Sequence, residues 1–117
     1  MPSKNKKRIP AVFYRSTGGA EPVRDWLKRL SGADRRAIGV DIATVEYGWP
    51  VGMPTCRTMG GGLFEVRSSL SQGRIARILF CIHENFMVLL HGFIKKAQKT
   101  PDAELALALK RKKEIER

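Results

Sequence analysis

Seven basic side chains against two acidic ones make residues 51–99 the part of this sequence best equipped for chemistry. Arg67 lies in the run LFEVRSS and Arg77 in RIARILFCI, while Lys95, Lys96 and Lys99 crowd the end of FMVLLHGFIKKAQKTP. Cations set at the rim of a short sheet suit the holding of a phosphodiester. Arginine does this best, because its planar fork grips two oxygens and stays charged. Arg77 stands in the middle of apolar neighbours, where a charge needs water or a partner. A salt bridge to Glu65 on the adjoining strand and a phosphate ligand both satisfy that need, and the sequence leaves the two open. His91 shares a strand face with Phe93 and Lys95. The imidazole is suited to proton transfer near neutral pH and the phenyl ring to stacking on a base, while packing in the core is the alternative for both.

Alternation and turn residues indicate the elements that carry these groups. Residues 63–68 alternate so that Leu63, Glu65 and Arg67 share one face, and Phe64 and Val66 the other. That predicts one polar and one apolar face. A loop over 68–73 leads to a strand over 74–82, then a tight turn at His83-Glu84-Asn85, and the most apolar strand follows at 86–94. These short connections predict an antiparallel meander with the last strand central. Upstream, residues 9–15 read as a first strand ended by Gly18-Gly19. Val23, Trp26, Leu27 and Leu30 then fall at helical spacing behind Pro22, with Ser31-Gly32 as a stop. A second helix is predicted over 33–47, its stripe made by Ile38, Ile42 and Val45, and the helical hairpin is expected on one face of the sheet. Residues 48–62 hold five glycines and two prolines and predict an irregular loop with a short extended piece around 55–59. Gly60-Gly61-Gly62 lacks the lysine and serine of a phosphate-binding loop and reads as a joint. Thr100 is expected to cap a last helix over 101–116, whose apolar surface meets either the sheet or a partner.

The whole chain carries 22 Lys and Arg against 11 Asp and Glu, a formal charge of +11 over 117 residues, and such a field attracts polyanions. The basic cluster at 110–113 is read as a solubility feature rather than a site. With 43% apolar residues, one domain spanning 1–117 around one core is expected. The basic start has no long apolar stretch behind it, so neither export nor membrane insertion is expected, and the cytoplasm is the predicted location. Cys56 and Cys81 are then expected to stay reduced. Cys81 and His83 lack the further ligands of a metal site, so no metal is expected.

The order of strand, two helices and meander, with LFEVR, IARILFCI and LLHGFIKKAQKTPDAELALA, resembles the HigB-type toxins of the RelE/ParE superfamily, in particular their phage-derived branch. The resemblance covers nearly the whole chain. Its most specific piece is HGFIKKAQKTP followed by an alanine-rich helix. It implies an α+β, RelE-like fold: an N-terminal strand and helical hairpin packed on an antiparallel meander, with a C-terminal helix. It implies a type II toxin that cuts mRNA in the ribosomal A site without metal or cofactor, and a helix-turn-helix, HigA-like antitoxin as partner beside ribosome and mRNA. In that chemistry the ribose 2′-hydroxyl attacks the adjacent phosphorus, which calls for a base, a phosphate clamp and an acid. Arg67 and Arg77 match the sheet arginines of RelE-like toxins, and Lys95 and Lys96 match the basic pair ending the last strand. Arg77 and Lys96 are assigned to the phosphate. Lys95 or Lys99 is assigned to proton transfer, since neighbouring cations push a lysine's pKa down. His91 is a further acid–base candidate, and Arg57, Arg74 and Phe93 are expected to touch RNA. Glu65 stands where RelE has a basic residue, a departure that makes Glu65 itself a candidate base. Two other readings stay open: a ParE-like toxin that binds gyrase, and an RNA-binding module without activity.

Overall fold

A computed structural model describes residues 6–96 and 99–117 of the chain. The elements run β1 (Ala11–Phe13), α1 (Pro22–Lys28), α2 (Gly32–Gly48), β2 (Cys56–Gly60), β3 (Leu63–Ser69), β4 (Ile75–His83), β5 (Phe86–Lys95) and α3 (Asp102–Ile115), with a 3-10 turn at Ser71–Gly73. They form an α+β fold whose five strands lie in the order β1-β5-β4-β3-β2. The expected meander is present: β3, β4 and β5 pair antiparallel, and Glu84 and Asn85 turn the β4–β5 hairpin with φ of 51° and 68°. Both central residues of a two-residue hairpin of that kind need positive φ, which asparagine tolerates.

Two strands extend the meander to either side. β1 is shorter than residues 9–15 and runs parallel to β5, Ala11 opposite Met87, which makes the sheet mixed. Glu46 of α2 shortens it by taking its first amides: its carbonyl accepts from Arg8 and Ile9, and its Oε2 accepts from the Ala11 amide at 2.7 Å. The short extended piece expected near 55–59 is β2, antiparallel to β3. Gly60, Gly61 and Gly62, all at positive φ, turn β2 into β3 and serve as a hairpin turn rather than a loose joint.

Ser31 was expected to stop α1; it is instead the N-cap of α2, its Oγ accepting from the Asp34 amide at 3.2 Å. α1 is closed by another residue. The Arg35 guanidinium donates to the carbonyls of Leu27, Lys28 and Leu30 at 3.3–3.5 Å, at the helix end where the last carbonyls lack i+4 partners. The Leu30 amide also bonds the Leu27 carbonyl at 3.1 Å.

Helices cover both faces of the sheet. On one side, Val23 of α1 and Ile38, Ile42 and Val45 of α2 pack on Val66, Ile78, Phe80, Met87 and Leu89. On the other, Ala108 and Leu105 of α3 pack on Leu63, Leu79, Cys81, Val88 and Leu90. The Leu105 and Ala108 side of α3 therefore packs on the sheet while Leu109 stays 37% exposed, and the β3 face expected to be polar is covered at Leu63 and Glu65, which are as buried as Val66. Burial pushes the Cys56 and Cys81 thiols up to about 11, so both are inert at neutral pH.

α1 crosses β5 so closely that a Cβ on Gly92 would lie 2.6 Å from the Trp26 ring. The partly buried indole packs against the core and would have to shift to make room. Gly92→Ala is expected to cost about 1–3 kcal/mol by overpacking. Urea unfolding would measure it, and a Trp26→Leu background should relieve most of the loss.

Candidate nucleic-acid interface and catalytic site

Antiparallel register converts the spacing read from sequence into rows across the sheet. Arg57, Glu65, Leu79 and His91 stand opposite one another in one row, and Arg67, Arg77 and Phe93 in the next, followed by Ile75 and Lys95. An irregularity between Leu79 and Phe80 brings His91, Phe93 and Lys95 onto the face that carries Glu65, Arg67 and Arg77. Such neighbours lie within direct reach of one another. This is the face under the start of α3.

At its centre is a carboxylate. Glu65 is 0% exposed; its Oε1 lies 3.5 Å from Arg57 Nε and 3.9 Å from Arg67 Nε, and its Oε2 accepts a hydrogen bond from the Thr100 hydroxyl. Arg77 is also 0% exposed. Burial lowers its pKa from the ordinary arginine value, the Glu65 charge works against that, and Arg67 and Arg57 add to it. The guanidinium is nonetheless a cation, since arginine is effectively always protonated in proteins. Three guanidiniums around one carboxylate leave a positive surplus, and its accessible part is Arg57, with 32% of its side chain exposed, and Arg67, with 17%.

Beside this cluster the His91 Nε2 lies 3.3 Å from Glu104 Oε1 on the first turn of α3. The His91 ring stacks on Phe93 with centroids 5.7 Å apart, and Lys95 Nζ sits 5.9 Å from the Phe93 centroid. Lys95, Lys96 and Lys99 are exposed where the chain leaves β5 for α3. The arrangement offers cations that could embrace a phosphate and a histidine whose Nε2 lies close to a carboxylate. Among the described residues no group of three or more His, Cys, Asp and Glu comes together as metal ligands would.

Several expectations are corrected by these positions. Arg77 is fully buried and has no surface to offer a phosphate. Glu65 is enclosed by cations and cannot serve as an accessible base. Phe93 is only 7% exposed and supports His91 and Lys95 rather than stacking on a base. Thr100 makes no cap bond on α3; its hydroxyl goes to Glu65. Sequence reading also passed over Glu104. It had no periodic signal, because its role depends on where α3 docks.

Arg74 leaves the group altogether. Its guanidinium holds Asp34 of α2 with two hydrogen bonds of 2.8 and 3.0 Å and bonds Ser71 Oγ at 3.0 Å, on the opposite side of the sheet. The pair holds the Asp34 carboxyl below the usual carboxylate range. A depressed folded-state pKa stabilises above the unfolded pKa and ceases to as pH falls through the folded value. Arg74→Ala is therefore expected to lower the melting temperature near neutral pH, to converge with the parent in acid, and to leave affinity for heparin nearly unchanged. Melting curves across pH and a heparin titration would check this.

The family model described as phage-derived protein Gp49-like matches residues 25–113, a span that takes in every strand of the meander, all the cations above and most of α3. No curated protein matches the chain. No helix among the described residues is long and apolar enough to cross a membrane. With well over half of its length matched, and the matched part holding the whole cationic face, the chain belongs to the phage-derived Gp49-like family.

Proposed function

We propose that this protein is the toxin of a type II toxin–antitoxin pair, of the HigB kind, and that it cuts mRNA on the ribosome without a metal. The observation that carries the reading is the gathering of Arg57, Arg67, Arg77, His91 and Lys95 on one face of the sheet, with Lys96 and Lys99 exposed at its margin. Arg67 and Arg57 are the accessible forks for the phosphate oxygens, and Lys96 supplements their charge. Glu65 holds that pair in place.

In the reaction, the 2′-hydroxyl loses its proton to a base and its oxygen bonds to the adjacent phosphorus. The bond from phosphorus to the 5′ oxygen breaks, and an acid protonates the departing oxygen. The products are a cyclic phosphate and a free 5′-hydroxyl. His91, close to Glu104, and an exposed lysine, Lys95 or Lys99, divide the proton transfers. Stabilisation of the crowded negative charge on phosphorus is the larger contribution, as is usual for charge developing in a transition state.

In this reading the protein works in the cytoplasm, and a helix-turn-helix antitoxin neutralises it by covering the cationic face. Inducible expression with mapping of mRNA 5′ ends on ribosomes tests the reading. Cuts bearing 5′-hydroxyl ends, present with the wild type and lost with Arg67→Ala, support it. Growth arrest with intact mRNA and gyrase-linked DNA breaks would replace it with gyrase binding.

A further inference from the structure

β2 begins at Cys56, opposite Val66, so among the described residues the outer edge of β3 beyond that point has one backbone bond, from the Arg67 amide to the Thr55 carbonyl at 2.8 Å. The missing strand leaves a depression of about 410 Å³ at the corner of the sheet, lined by Arg67, Ser69 and Ile75, by Pro54 and Thr55, and by Asp41 of α2. It adjoins the cationic face because Arg67 borders both.

The lining is chemically mixed. Pro54 and Ile75 offer apolar walls, Thr55 and Ser69 offer hydroxyls, and Asp41 offers a carboxylate. Asp34, Ile38 and Asp41 follow at helical spacing on α2. Asp34 is consumed by Arg74, whereas the half-buried Asp41 carboxylate has no hydrogen-bond or ion-pair partner among the described residues. An ionised carboxylate accepts hydrogen bonds and donates none. Next to a phosphate-holding arginine, an acceptor between apolar walls is suited to a base that presents donors on its pairing edge. Guanine presents two adjacent donors, N1–H and the 2-amino group, which a carboxylate can receive together. Adenine and cytosine present a single amino group, and uracil a single N–H between two carbonyls that a carboxylate repels.

We propose that this corner is a base subsite selecting guanine in the nucleotide next to the phosphate held by Arg67. The proposal deepens the nuclease reading and rests on it for the identity of the ligand as single-stranded RNA, the form in which pairing edges are free to be read.

The test is fluorescence anisotropy of short single-stranded RNA oligonucleotides on the full chain, at one fixed low salt concentration because phosphate contacts make affinity salt-dependent. Otherwise identical uridine-rich oligonucleotides carry G, A, C or U at one central position. The wild type is expected to bind the guanine oligonucleotide roughly tenfold more tightly than the others, within the range of a good bidentate base contact. Asp41→Asn, a change on the helix surface of equal size, should erase that preference while leaving affinity for the all-uridine oligonucleotide unchanged or improved; Asp41→Ala should do the same. Equal binding of all four by the wild type, or a preference that survives in both variants, overturns the subsite. Since binding needs no cleavage, guanine preference in a protein that cuts nothing on ribosomes would sustain the subsite and overturn the nuclease reading. Cuts without base preference would do the reverse.

Discussion

Glu65→Ala is expected to lower the unfolding free energy by about 3–5 kcal/mol, the usual penalty for removing one partner of a buried ion cluster. The carboxylate is 0% exposed and faces Arg57, Arg67 and the equally buried Arg77. Arg57 and Arg67 can turn toward solvent when it is gone; the fully buried Arg77 cannot do so as readily. A domain of this size has roughly 5–15 kcal/mol in total, so the loss is a large fraction of its stability and should lower the melting temperature clearly. Urea unfolding followed by circular dichroism measures the loss. Two companions separate its causes. Glu65→Gln keeps the volume and an acceptor for the Thr100 hydroxyl, so it isolates the charge. Thr100→Val keeps the charge and removes only the bond to it, and should cost about 1–3 kcal/mol. Replacing Glu65 and Arg77 together by Leu and Met should recover much of the loss, because a buried pair exchanged for apolar groups of similar size is often neutral. A Glu65→Ala variant within 1 kcal/mol of the parent would show that Glu65 is not the counter-charge of Arg77.

Local pattern made much of this arrangement legible, and long-range contact hid the rest. The meander could be read because alternation and two-residue turns are local properties. α1 and α2 could be read because their stripes fall at 3.6-residue spacing. The parallel pairing of β1 with β5 joins Ala11 to Met87, and nothing near either residue announces the other. Ser31 lies between two helices, so a stop for one and a start for the next look alike in sequence. Only the hydroxyl's bond to the Asp34 amide decides between them.

The same division runs through the site. Alternation put Arg67 and Arg77 on one face, and the register agrees. Alternation also held a signal that went unused: Arg74 and Arg77 are three residues apart, an odd step, so two residues on one extended strand at that spacing point to opposite faces. Arg74 accordingly reaches α2, away from the cationic face. The depth of Glu65 and Arg77 left no local trace, because it is set by where Thr100 and the first turn of α3 come to rest. A charge inside an apolar run signalled that a partner was needed. It did not say whether the partner would be a substrate or the protein itself, and the carboxylate beside it gives the second answer for Arg77.

That answer moves the chemical weight onto Arg67, and on the proposed nuclease reading Arg67→Ala is expected to lower the single-turnover rate of ribosome-dependent mRNA cleavage by about 10²–10³-fold, the usual loss on removing one well-placed stabiliser of transition-state charge. The fold should survive, because the 3.9 Å approach to Glu65 is loose, 17% of the side chain is exposed, and Arg57 and Arg77 remain as counter-charges to Glu65. Arg67→Lys keeps the charge without the planar fork, so it should recover affinity more fully than rate. A stabiliser of developing charge shows itself in the rate of cutting, whereas a general attractor of RNA shows itself in KM and in salt dependence. Single-turnover cleavage on programmed ribosomes, with Arg74→Ala as the control cation on the far side of the sheet, separates these contributions. If Arg67→Ala cuts as fast as the parent, the phosphate does not lie against this face. If Arg74→Ala loses as much as Arg67→Ala, the effect is one of overall charge and the convergence of side chains on the sheet has no catalytic meaning. A loss confined to Arg67, and expressed in the rate constant, is the result that the geometry requires.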